Sequence, residues 1–186
     1  MHPSTLLGLL AFAAAVTGNP VKPASINNLK NNIKNVVVLV MENRSVDNLL
    51  GGQTIKGLEN PINNGPFCNP YNVTDPSQGV YCSAAKDIDS VINDPDHGIP
   101  GNNMEFYGTF NPDNDAIASG KLVPHQQGFV NEQLRLYSSQ QNKTFLGTEV
   151  MNYYTEEQVP VLTELVQNYV TFNHWHSDIP GVSETL

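Results

Sequence analysis

Three short stretches carry side chains that could do chemistry together. The first is Glu42-Asn43. A carboxylate beside an amide oxygen offers two hard donors, suited to Ca²⁺, Mg²⁺ or Mn²⁺, and a carboxylate also binds Zn²⁺. A cation held there would polarise a phosphoryl oxygen. The same two residues equally suit a strand that ends in polar turn residues. The second stretch is Asp94-Pro95-Asp96-His97-Gly98. An imidazole among carboxylates can bind metal, donate to a phosphate oxygen or act as a general acid. Pro and Gly also make this stretch a fitting surface turn. The third runs from His174 to Ser183. Ser183 stands on a turn just after Gly181, an accessible place for a nucleophilic hydroxyl. Only Glu184, Thr185 and Leu186 follow it, too few for a helix whose N-terminus would hold a phosphate. His174 and His176 lie two apart and share one face if the segment is a strand. They read either as a metal pair or as two residues facing water.

These groups need elements to position them. Residues 34–41, Lys-Asn-Val-Val-Val-Leu-Val-Met, form a continuous β-branched run. Such a run predicts a strand buried on both faces, as in a parallel sheet, with Glu42-Asn43 at its carboxyl end, where α/β sheets bind ligands. Val46 to Leu50 is predicted as a short helix stopped by Gly51-Gly52. From Gly51 to about Pro124 the chain is dense in Gly, Pro, Asn and Asp and reads as one long excursion. Gln126 to Ser138 can form an amphipathic helix with Phe129, Val130, Leu134 and Tyr137 on one side. Thr155 and Gln158 have capping-box spacing, and Pro160 suits the first turn of the helix that follows. Val170 to Trp175 is expected to be a second strand with Trp175 buried. The order fits an α/β sheet with a large insertion after its first strand.

The chain has 186 residues, enough for one domain. Leu6 to Val16 is an apolar run ending in small residues, too short for a bilayer, which needs about 20. It is expected to be a signal peptide over residues 1–18, leaving a secreted chain of 19–186. No later segment is apolar and long enough to span a membrane. Nine Lys and Arg stand against 18 Asp and Glu, which disfavours nucleic acid and anionic membrane surfaces as bulk partners. Cys68 and Cys82 are the only cysteines. In an exported chain they are expected to pair, and two free thiols are the alternative. Sequons stand at Asn43, Asn72 and Asn142; the last two lie among turn formers, where a glycan would face water.

Taken together, these stretches resemble the phosphoesterase family of non-haemolytic phospholipases C and acid phosphatases. Sixteen consecutive residues, Val36 to Gly51, resemble its opening block. Asp94 to Gly98 resembles the second block, and Asn152 through Gly181 the third. The resemblance implies an alkaline-phosphatase-like α/β fold: a central, mostly parallel sheet with helices on both faces, here its N-terminal part only. It implies attack on phosphorus by a Ser or Thr with a divalent metal ion. By position, Glu42 and Asn43 match metal ligands, His97 the active-site histidine and Ser183 the nucleophile. The substrate would be a phospholipid or a small phosphate ester. Val182 stands where the family has Pro, and the Pro-Asn-Arg that follows in the family is absent. The pattern is that of a chain stopping before the site is complete. Its alternative is a secreted fragment without catalysis, with a binding role or none. A glycan on Asn43 is incompatible with a ligand role there.

Overall fold

The computed structural model describes residues 26–86, 92–140 and 142–176. It comprises two units, Met1–Val40 and Met41–Leu186. The predicted signal peptide and Ser183 lie outside the described residues.

In the first unit, helix α1 (Ile26–Asn32) leads into extended chain. The β-branched run is extended, as its side chains dictate, but it is not a strand. Val36 to Val40 are exposed, Val37 by 91%. A strand needs a neighbour for its backbone N–H and C=O groups, and no described residue pairs with this run. The expected second strand, Val170 to Trp175, is likewise unpaired, and Trp175 is 80% exposed rather than buried. Neither run belongs to a described sheet, so the described residues do not confirm the expected central parallel sheet.

The second unit is mixed α and β. Its elements are α2 (Val46–Leu50), α3 (Pro61–Asn64), β1 (Cys68–Pro70), β2 (Val80–Cys82), β3 (Ala84–Ala85) and α4 (Ile99–Tyr107). They are followed by α5 (Asn114–Ala118), α6 (Phe129–Leu136), α7 (Lys143–Met151), β4 (Asn152–Tyr153) and α8 (Pro160–Asn168). The stretch from Gly51 to Pro124 is thus not one structureless excursion. It holds the antiparallel pair β1–β2, in which Cys68 faces Cys82, and these two form a disulfide. β3 pairs in parallel with β4.

The apolar core is small. Val130 of α6 and Leu146 of α7 are fully buried where these helices pack, Met104 of α4 joins them, and Phe106 meets Phe129 edge-on at 6.0 Å. Buried polar side chains supply much of the rest. Asn69 accepts from the Phe129 N–H at 2.9 Å, and Asn60 donates to the carbonyls of Leu50 and Gln53. Gln53 donates to Thr163 at 2.8 Å.

Local sequence explains the helix ends. Ser45 caps α2 by accepting from the Asn48 N–H, and Pro160 opens α8, as expected. The Gln158 side chain accepts from the Thr155 N–H at 2.9 Å, one half of the predicted capping box, closing the turn before α8. Gly51-Gly52 does more than stop α2. The chain passes so close to residues 153–155 that a Cβ on Gly51 would stand 2.5 Å from the Tyr153 Cβ, and one on Gly52 2.3 Å from the Tyr154 carbonyl oxygen.

Candidate active site

Residues 43–48 and 94–97 meet across one cavity. Its volume is about 620 Å³, and helices α4, α6 and α7 close it through Asn102 and Glu105, Phe129, and Glu149 and Val150. Asn43, Arg44, Ser45 and Asn48 form one wall; Asp94, Pro95, Asp96 and His97 form another. A smaller cavity of about 200 Å³ adjoins it, sharing Ser45, Asn48, Phe129 and Val150 and adding Phe67, Met151 and Tyr153.

The first wall is set by α2. Asn43 has φ +65°, in the left-handed region that Asn tolerates better than most residues. That turn redirects the chain before Ser45 caps the helix. Asn48 ties α2 to the neighbouring chain, donating to the Asn152 carbonyl at 2.7 Å and accepting at its own carbonyl from the Tyr154 N–H. Asp47, on the same helix, keeps an exposed surface, and partial desolvation pushes its carboxyl above the usual range.

The second wall carries His97. Its Nε2 lies 3.0 Å from Asp94 Oδ2, and its carbonyl accepts from Asn102. Asp96 accepts from the Gly98 N–H at 2.7 Å. Its carboxyl fills the space beside Gly101, where a Cβ would stand 2.3 Å from the Asp96 Cγ. Arg135 grips Glu132 with two nitrogens, lies 3.9 Å from Asp96 and covers the Phe110 ring.

Glu105, 4% exposed, has no hydrogen-bond partner for its carboxyl among the described residues. Burial, then the nearby Glu132 and Asp96, push it up to about 8. It is therefore largely a neutral acid at pH 7. Glu149, 2% exposed, accepts instead from the N–H groups of Ile92 and Asn93 and from the Asn93 amide.

The structure thus brings Asn43 and His97 to one cavity. Glu42 is exposed and does not line it. Glu42 and Asn43 suit a hard divalent cation in kind, but no group of three or more His, Cys, Asp or Glu able to hold a metal gathers among the described residues. His174 and His176 stand elsewhere, their rings 5.7 Å apart, with His174 bonded to Glu59. Sequence reasoning missed Glu105, Glu149 and Asn93. Glu149 lies three residues after the buried Leu146 on one face of α7, a spacing that informs only once that stretch is known to be a helix.

Comparison with known proteins shows the family of the chain. The phosphoesterase family model matches residues 33–185. The chain belongs to the phosphoesterase family. It is 34% identical over 152 residues to non-specific phospholipase C6 of Arabidopsis thaliana, covering 82% of this chain and 26% of that one. It is 30% identical to non-specific phospholipase C1 of the same plant over 149 residues, covering 80% and 25%. This phosphoesterase chain therefore spans about a quarter of the length of these relatives. Both walls of the cavity fall within the matched residues.

Proposed function

We propose that this chain contributes to a secreted hydrolase of phosphate esters, of phospholipase C or acid phosphatase type. The observation that carries the reading is the shared cavity of Asn43 and His97 in a member of the phosphoesterase family. Relatives named as phospholipases C favour a phospholipid substrate over a soluble monoester.

In this reading the phosphate group enters the cavity between residues 43–48 and 94–97. Ser183 Oγ attacks phosphorus and yields its proton to His97, the bond from phosphorus to the leaving oxygen breaks, and His97 passes that proton to the leaving oxygen. Water then attacks phosphorus, the bond to Ser183 Oγ breaks, and the proton that water loses returns to that oxygen. Glu42 and Asn43 would supply two oxygen donors to a divalent cation, which when bound would stabilise charge on the phosphoryl oxygens. Two donors make an incomplete coordination shell, so the remaining ligands would come from other groups.

Export would place the Cys68–Cys82 disulfide in an oxidising compartment, where such bonds persist. It would also expose Asn72 and Asn142 to glycosylation. Support comes from their geometry. Each uses its side-chain oxygen as an acceptor, Asn72 from Thr74 and Asn142 from the Phe145 N–H, and the amide nitrogen that would carry a glycan has no described partner.

The test is hydrolysis of p-nitrophenyl phosphate and p-nitrophenylphosphorylcholine by residues 19–186, with and without divalent metal. Metal-dependent turnover lost in Glu42→Ala, His97→Ala and Ser183→Ala is the expected result. A cooperatively folded chain that turns over neither ester would overturn the catalytic reading and favour a binding role or none.

A further inference from the structure

Residues 92–98 form no helix or strand, yet they carry Asp94, Asp96 and His97 to the cavity. One anchor of this segment is the buried Asn93, 4% exposed. Every polar group it has is engaged by a side chain of α6, α7 or the link between them. Its backbone N–H donates to Glu149 Oε1 at 3.3 Å, and its Nδ2 to Glu149 Oε2 at 2.6 Å. Its carbonyl accepts from Gln133 at 2.7 Å, and its Oδ1 from Gln140 at 2.6 Å. The Ile92 N–H also donates to Glu149 Oε1, at 3.0 Å, and the Tyr137 hydroxyl donates to the Asp94 carbonyl at 2.8 Å.

Glu149 is central because all three groups that reach it are N–H donors. A carboxylate offers acceptors only and suits all three, whereas an amide would turn two hydrogens toward them. In a site this buried, an unmatched donor has no water to fall back on. The segment so anchored then sets the His97 ring, since Asp94 stands next to Asn93 and accepts from His97 Nε2. A carboxylate on Nε2 selects the tautomer with its proton there and leaves Nδ1, which has no described partner, as the acceptor.

We propose that Glu149 is a positioning residue: through Asn93 it holds Asp94 and His97 at the cavity wall and so fixes the tautomer of the His97 ring. Its bearing on catalysis rests on the reading given above; the placement of the ring does not.

The experiment is ¹⁵N NMR of the labelled chain at a pH where the imidazoles are neutral, with His97 assigned by its loss in His97→Asn. Wild type should show well-separated Nδ1 and Nε2 shifts for His97, with the proton on Nε2. Glu149→Gln should narrow that separation, as Asp94→Asn should. Glu149→Asp, which keeps the acceptors but shortens their reach, should fall between. His125 is the internal control, because its Nδ1 accepts from the Gln127 N–H at 3.1 Å and not through this network. Its shifts should stay put, whereas general loosening would move both rings. Unchanged His97 shifts in Glu149→Gln and Glu149→Asp would overturn the proposal, as would equal changes at His125. Loss of the fold in Glu149→Gln leaves Glu149→Asp to decide. Absent turnover in wild type would count against the catalytic reading alone, since the ring readout needs no substrate.

Discussion

One buried carboxyl of the cavity wall, that of Glu105, holds its proton well above the usual carboxylate range. Glu105 titrates at about 8 when folded and near the ordinary carboxyl value when unfolded. Below the unfolded value both states hold the proton, so the stability this group contributes is complete there. As pH rises from about 4.5 to 8 the unfolded chain ionises first, and stability falls until the folded carboxyl ionises too. Thermal melts should therefore show Tm dropping across this window in wild type, with a smaller drop in Glu105→Gln, which should be the more stable of the two at pH 8.5. Equal slopes would remove Glu105 as the cause. The sequence exposed some residues of this site and hid others for a physical reason. Asn43 and His97 sit in turns, where polar residues have no helical periodicity to obey and stand out. Glu105, Glu149 and Asn93 became part of the site only when helices folded over them, and their types are ordinary for a helix or loop.

Among the elements, α6 and α7 hold both the apolar core and the polar clamp. Leu146 is fully buried between them, so Leu146→Ala should cost about 2–5 kcal/mol in urea unfolding, with unchanged far-UV signal at zero urea. The β1–β2 hairpin closes differently. Its disulfide joins residues 14 apart, and a loop of that size is stabilised by about 3 kcal/mol through restriction of the unfolded chain. Reduction, or Cys68→Ser with Cys82→Ser, should lower the urea midpoint accordingly. Helices α2 and α8 were legible because their caps are local: Ser45 and Gly51 bound one, and Pro160 opens the other. Helix α6 was legible in place but not in facing. Val130 is buried as expected, yet Glu132 and Gln133 are more buried than Leu134, because α6 packs partly against polar groups. Helix α7 was missed: Asn142 caps it, but no clean apolar stripe follows to mark it.

Across the whole molecule, the largest difference between sequence and structure concerns sheets. The runs 36–41 and 170–175 have strand composition, but composition gives only extended backbone; pairing requires a partner that sequence cannot name. Both runs stand exposed, with Val36 to Met41 each at least 58% accessible. An unpaired, uncharged, β-branched segment is a template for association with other chains. Light scattering of residues 19–186 should rise with concentration and time, and Val38→Lys should slow that rise. No change in Val38→Lys would show that association starts elsewhere. No described helix is long and apolar enough to cross a membrane.

The contact between Gly101 and Asp96 reaches beyond this molecule. The Asp96 carboxyl occupies the space where any other residue at 101 would place its Cβ. Divergence at the two positions is therefore linked. A lineage that keeps a carboxylate at 96 should keep glycine at 101, and one that gains a side chain at 101 should have lost bulk at 96. In ancestral terms, the two sites should have changed in close succession, and an aligned set of homologues would show them covarying.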